Sequence, residues 1–252
     1  IDASTNLSLL QDLDRDIYSD GQIVLQANVR GALSQPLVSG KMELKNASLN
    51  LASSPNGISN ANGVIALNGN RATITQLTAE SGGGKITLRG FATFGSSALR
   101  YTLRANAAHV RSRYQGASVI ASANASLTGT SEHSVLSGTV TLEKIAYNSQ
   151  SDFGSMLSST ATPTETPSVP TGFLAGMHLD INVRTAPGAR FQTSLAERLQ
   201  ADADLNIRGT LASPGIVGAI TVSEGTLVFF GNEYSVNRGQ ISFYDPTRIA
   251  PV

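Results

Sequence analysis

The chain has 252 residues and a mass of 26.2 kDa, enough for one large all-β domain or two ordinary ones. Its 18 basic and 18 acidic residues cancel, which excludes the basic excess of a nucleic-acid binder and the acidic run of a solvating tail. Without cysteine, no disulfide framework, cysteine-based zinc site or thiol nucleophile is available, while 40% apolar residues suffice for a core.

Residues 1–22 form an N-terminal segment in which Leu7, Leu10, Leu13 and Ile17 have helical spacing, so a short helix is expected between Asn6 and Ile17. Asp12, Asp14 and Asp16 have the spacing that opens a calcium loop. The glycine and terminal glutamate of that loop would fall on Ile17 and Ile23, so these acids read as a solvated helix face. The sequence opens on Ile1 with no signal peptide and no 18-residue apolar run. It reads as an excised piece whose targeting and anchoring segments lie elsewhere.

From residue 23 to 149 a period of two dominates. Ile23, Leu25, Ala27 and Val29 alternate with Val24, Gln26 and Asn28. Met42 and Leu44 alternate with Lys41, Glu43 and Lys45; Tyr101, Leu103 and Ala105 alternate with Thr102, Arg104 and Asn106. One apolar and one polar face is the pattern of a half-buried strand. Turn signals recur at Pro55-Asn56-Gly57, Asn62-Gly63, Asn68-Gly69-Asn70 and Ser81-Gly82-Gly83-Gly84, and later at Gly231-Asn232 and Arg238-Gly239. Such close spacing predicts hairpins and antiparallel sheet. Residues 150–171, rich in proline, serine and threonine without periodicity, predict a long disordered loop. Alternation resumes over 172–252, at Leu179, Ile181, Val183 and at Leu205, Ile207; Ser194 to Leu199 is either one helical turn or a continued strand.

The sequence also repeats itself. At an offset of 178 residues, Arg30, Gly31, Leu33, Pro36, Gly40 and Leu49 match Arg208, Gly209, Leu211, Pro214, Gly218 and Leu227. A third, weaker copy at 127–149 keeps Gly129 and Gly138. The unit reads as a strand ending at glycine, a short loop, and a second glycine that starts a new strand. That strand is broken by a bulge or turn at Lys45-Asn46-Ala47 and at Ser223-Glu224-Gly225.

No reaction is legible. Gly82-Gly83-Gly84-Lys85 resembles half a P-loop, but Ala79 and Ile86 occupy the remaining positions, so it reads as a hairpin loop. His109, His133 and His178 lack metal-ligand spacing, there is no G-x-S-x-G elbow, and no acid pair stands out. The chain is expected to be no enzyme and to need no cofactor or metal.

The last stretch is distinctive. It contains G-x-I-x-V-x-x-G (Gly218 to Gly225), then F-F-G-x-x-Y-x-V-x-x-G-x-I-x-F (Phe229, Phe230, Gly231, Tyr234, Gly239, Phe243), then D-P-x-R-I-x-P (Asp245, Pro246, Pro251). With the upstream Gly209 to Pro214 unit, it closely resembles the C-terminal domain of the TamB family, a subunit of the translocation and assembly module. The resemblance covers nearly the whole chain. It departs at the 150–171 insertion and in the absence of the strands expected after Pro251, which suggests truncation.

The resemblance implies an elongated, curved, mostly antiparallel sheet folded into a U-shaped groove with an apolar interior, similar to AsmA-like bridge-like lipid transfer proteins. Residues 23–149 and 172–252 would both be groove. It also implies a periplasmic location in a diderm bacterium, an inner-membrane anchor outside this chain, and a TamA-like outer-membrane barrel partner. The implied roles are phospholipid transfer between the membranes and assembly of outer-membrane proteins, with acyl chains and nascent outer-membrane proteins as partners and no nucleic acid. The lining expected in the first half is Met42, Leu44, Val140 and Leu142. In the second half it is Leu179, Ile181, Leu205, Ile207, Ile220, Val222, Leu227, Phe229, Ile241 and Phe243. Polar alternates such as Glu43, Thr141, Asn206, Arg208 and Thr221 would face water. The 227–243 hairpins would offer an open edge for β-augmentation by a partner strand. From alternation alone a closed sandwich core stays open as an alternative, and the Ser/Thr/Asn/Gly-rich composition also fits a secreted or surface adhesin-like β-solenoid acting as an interaction protein.

Overall fold

A computed structural model describes every residue except 10, 12–16, 32–36, 52–55, 95–98, 115–116, 148–175, 194–195, 230–231 and 245–252. The loop expected over 150–171 therefore lies outside the described residues. The strands are β1 (Asp2–Asn6), β2 (Ile17–Arg30), β3 (Leu37–Leu51), β4 (Ile58–Gly69), β5 (Arg71–Ser81), β6 (Gly84–Thr93) and β7 (Arg100–Tyr114). They continue with β8 (Ala117–Thr130), β9 (Ser134–Tyr147), β10 (Met177–Thr193), β11 (Ala196–Thr210), β12 (Pro214–Phe229), β13 (Asn232–Val236) and β14 (Gly239–Phe243).

The chain is all-β. Its 14-stranded sheet takes β1 to β13 in chain order, with β14 also beside β12. The pairing path does not close into a barrel, and each described register is antiparallel. Short connections between alternating segments make this meander the direct outcome of the sequence. By packing, the chain divides into two compact units: Ile1–Ser112 with Ala121–Val140, and Arg113–Ile120 with Thr141–Val252.

In the first unit, the segment before residue 23 is largely strand. Leu7–Leu9 forms a 3-10 turn, Gln11 is helical, and β2 already begins at Ile17. The three aspartates at 12, 14 and 16 lie outside the described residues. Gly82 and Gly83, at φ 55° and 81°, form the tight turn between β5 and β6, where Ser81 pairs with Gly84. Two positive φ angles in succession are what a two-residue hairpin demands.

Asn62-Gly63 is not a turn. Both residues lie inside β4, and Gly63 pairs with Leu44 on one side and Leu77 on the other. Asn62 instead serves a bulge in β3. There Asn46 adopts φ 49°, and its N–H donates to Asn62 Oδ1 at 2.9 Å. The bulge costs the ladder one bond, and the asparagine amide restores it. His109 in β7 repeats the device: at φ 54° its N–H donates to Ser122 Oγ at 3.0 Å.

Small residues make the core. Ala47, Ala61 and Ala79 form a buried cluster, with Leu7, Leu44, Leu77 and Ile86 packed at its margin. Tyr101 is also buried, and its hydroxyl donates to the Thr130 carbonyl at 2.6 Å.

In the second unit, β10 to β14 carry buried Met177, Ala201 and Ala203. β13 pairs with residues 225–229 of β12 and β14 with residues 218–222, so the two short strands follow one another along β12. Ala196 onward is strand rather than a helical turn.

The second glycine of each sequence unit does not start a strand. Gly40, Gly138 and Gly218 sit inside β3, β9 and β12 at φ 149°, 157° and 131°. A Cβ on them would strike the carbonyl oxygens of Gln26, Asn124 and Asp204 in turn. Glycine is needed there because the neighbouring backbone comes too close for any side chain.

Candidate functional site

Directly paired residues of neighbouring strands project to the same face of a sheet. Pairing therefore sorts most of the expected lining residues by face. In the second unit, Ile181 pairs with Ile207 and Leu179 with Gly209. Across the next ladder Ile207 pairs with Ile216, Leu205 with Gly218, Ala203 with Ile220 and Ala201 with Val222. Beyond it, Ile220 pairs with Ile241 and Gly218 with Phe243. Leu179, Ile181, Leu205, Ile207, Ile220, Val222, Ile241 and Phe243 thus share one face. All are half-buried except Ile241, which is 42% exposed.

The expected break in β12 is a bulge. Val222 pairs with Ala201 but Glu224 with Gln200, leaving Ser223 as the extra residue. Beyond it Leu227 pairs with Tyr234 and Phe229 with Asn232. In β9, Val140 and Leu142 are both half-buried and two residues apart.

The first unit has a face of the same kind. Met42 pairs with Leu25 and Ile65, and Leu44 with Ile23 and Gly63. The face continues through Ile65–Ile74, Leu77–Leu88 and Ile86–Ala107. Ile65, Ile74, Leu77, Ile86 and Leu88 therefore belong with Met42 and Leu44, though the sequence reading left them out. Ile74 and Leu77 lie three apart because β5 bulges opposite Arg89, and that extra residue hides the period of two.

The alternate residues are polar. In the second unit they pair charge with charge: Arg208 Nε lies 3.7 Å from Asp180 Oδ1, and Arg184 Nε 3.6 Å from Asp204 Oδ1. In the first unit Asp20 Oδ1 accepts the Gly21 N–H at 2.7 Å and Asn6 Nδ2 at 3.1 Å. These two bonds, the backbone one foremost, hold its carboxyl below the usual value.

The distinctive C-terminal residues have structural work. Gly209 pairs with Pro214 to close the β11–β12 turn, where the Thr210 N–H donates to the Ser213 carbonyl at 3.2 Å. Gly225 pairs with Val236 and Gly239 with Val222, while Tyr234 is 54% exposed. Phe230, Gly231, Asp245, Pro246 and Pro251 lie outside the described residues.

Among the described residues, no large side chain is less than 2% exposed. Among the described residues, apolar burial falls mostly on alanines, so the leucines and isoleucines of both faces keep accessible hydrocarbon. What such a face can do chemically is to contact more hydrocarbon. Among the described residues, no helix is long and apolar enough to cross a membrane.

The family model of the TamB C-terminal domain matches residues 73–252, from within β5 to the end of the chain. The copy at 29–51 lies before the matched region. No curated protein and no solved structure matches the chain. The match spans well over half of the sequence and includes every expected lining residue except Met42 and Leu44. The chain belongs to the TamB family, periplasmic, membrane-associated proteins associated with a TamA partner in outer-membrane assembly.

Proposed function

We propose that the apolar faces of this chain carry phospholipid acyl chains between the inner and outer membranes. The observation behind this reading is the combination of an apolar face that runs through the described registers from β2 to β7 and from β10 to β12 and the lack, among the described residues, of any fully buried large side chain. A filled sandwich core of this size would bury leucines and isoleucines completely. Exposing an acyl chain to water costs about 0.8 kcal/mol per CH₂, so a chain of about 16 carbons faces a barrier on the order of 12 kcal/mol. A continuous hydrocarbon surface lowers that barrier along its whole length; an interrupted one leaves a step at each gap. The polar alternates keep the other face in water. The inner-membrane anchor lies in a segment outside this chain, and nascent outer-membrane proteins engage the strand edge at β13 and β14.

The test is photo-crosslinking from single positions in cells. Probes at Leu205 and Ile220 are expected to capture phospholipid, and probes at Arg208 and Thr221 are not. Capture of lipid from Thr221 but not from Ile220 would invert the assignment of faces. Capture of protein alone from both Ile220 and Leu205 would refute the lipid role.

A further inference from the structure

The face opposite the apolar one in the first unit carries an unusual pairing. Arg89 of β6 stands directly across from Arg104 of β7, flanked by Phe91 across from Thr102 and Thr87 across from Asn106. Like charges in directly opposed positions destabilise a sheet. In the second unit the corresponding cross-strand arginines, Arg184 and Arg208, each face an aspartate. Among the described residues, no acid pairs with Arg89 or Arg104. The pair lines a cavity of about 820 Å³ together with Thr87, Phe91, Asn106 and Asn124, and no described lining residue is an aspartate or glutamate.

The surroundings orient the pair rather than neutralise it. Arg89 Nη2 donates to Gln76 Oε1 at 2.8 Å, which fixes one edge of its guanidinium. Gln76 is available because β5 bulges at this row. The Arg71 guanidinium lies 3.6 Å from the centroid of the Phe91 ring, bringing a third cation to the cavity margin. Asn106 Nδ2 donates to Asn124 Oδ1 at 2.6 Å, which holds that wall in place.

We propose that Arg89 and Arg104 form a binding site for a phosphate-type oxyanion on the polar face of β6 and β7. Two planar forks on adjacent strands can each give paired N–H donors to one phosphoryl group, and the ligand's charge removes the repulsion between them. The cavity has room for a phosphate carrying organic substituents. The ligand is therefore either a free phosphate or pyrophosphate, or the head group of an anionic phospholipid. The site lies on the face opposite Leu88 and Leu103, so it stands independently of the acyl-chain reading.

The chain should be titrated calorimetrically with inorganic pyrophosphate and, separately, with monomeric short-chain phosphatidylglycerol. Binding of at least one probe is expected, weakened about tenfold or more in Arg89→Gln/Arg104→Gln. Arg208→Gln, on the other unit, should bind as the unchanged protein does. The melting temperature should rise with the bound probe in the unchanged protein and stay fixed in the double variant. If the double variant does not fold, Arg104→Gln alone, at an exposed position, should still weaken binding severalfold. Response to pyrophosphate alone identifies a free phosphate as the ligand, and response to the lipid alone a head group; either supports the site. Silence from both probes at millimolar concentration, or equal binding by the arginine variants, overturns it.

Discussion

Replacing Gly40 by alanine tests whether the strand glycines are there for close backbone approach. Gly40 has φ 149°, and a Cβ would collide with the Gln26 carbonyl oxygen and lie 2.7 Å from Ala27 Cα. Real Cβ atoms essentially never approach another heavy atom closer than 3.0 Å, so the β2–β3 ladder must open by about 1 Å at the Gln26 carbonyl. Backbone strain of this kind costs about 1–3 kcal/mol, and forced overpacking about 1–3 kcal/mol more. The lower entropy of the unfolded alanine chain returns about 0.4–1 kcal/mol. A net loss of about 2–4 kcal/mol follows, or a fall in Tm of roughly 5–15 °C at this chain length. Gly83→Ala is the internal control. It lies in the same unit at φ 81° with nothing within 4 Å of its Cβ, so only the conformational cost applies, about 1 kcal/mol or less after the entropy offset. Thermal unfolding followed by circular dichroism compares the two. Equal, small shifts would show that Gly40 answers only to its dihedral angle and that close approach is not what selects it.

Asn62→Ala removes the acceptor for the Asn46 N–H and should cost about 1 kcal/mol, whereas Asn62→Asp, which keeps an oxygen there, should lose less; chemical denaturation of the pair checks the order. Tyr101→Phe deletes the 2.6 Å bond to the Thr130 carbonyl from a buried hydroxyl, and a loss of about 1 kcal/mol in the same assay is expected. Asp20 should titrate below the ordinary aspartate range by NMR, and Asn6→Ala should move its midpoint upward by removing one of its two donors. Because the folded value is the depressed one, this carboxylate's contribution is in place at neutral pH and is lost as pH falls through that value.

Where the period of two runs unbroken, the sequence shows which residues share a face. Leu179-Asp180-Ile181-Asn182-Val183 meets Leu205-Asn206-Ile207, and the pairing needs nothing further. It fails where a bulge inserts a residue. Between Ile74 and Leu77 two residues of β5 oppose one of β6, so an apolar spacing of three occurs inside a strand. Asn62-Gly63 misleads for a related reason. The dipeptide that commonly makes a turn is used here to repair a neighbour's bulge and to admit Leu77 closely, and neither demand is local to β4. The Arg89–Arg104 pairing was equally invisible, since no local pattern joins residues fifteen apart until the β6–β7 register is known.

The distribution of residue size bears on the proposed acyl-chain role. A sheet usually gains most of its stability by burying large side chains on one face, at about 25 cal/mol per Å². Among the described residues, the buried apolar positions fall mostly on alanines such as Ala47, Ala61, Ala79, Ala201 and Ala203, which have little area to bury. Cohesion must then come chiefly from long antiparallel ladders and from the side chains that mend them, such as Asn62 and Ser122. That arrangement leaves Leu205, Ile207 and Ile220 neither sealed nor free, a costly state for a chain that meets only water. It is the state that the proposed role requires, since a surface carrying acyl chains has to accept hydrocarbon and release it. A better-packed core would stabilise the chain and, by the same contacts, close the face to any ligand.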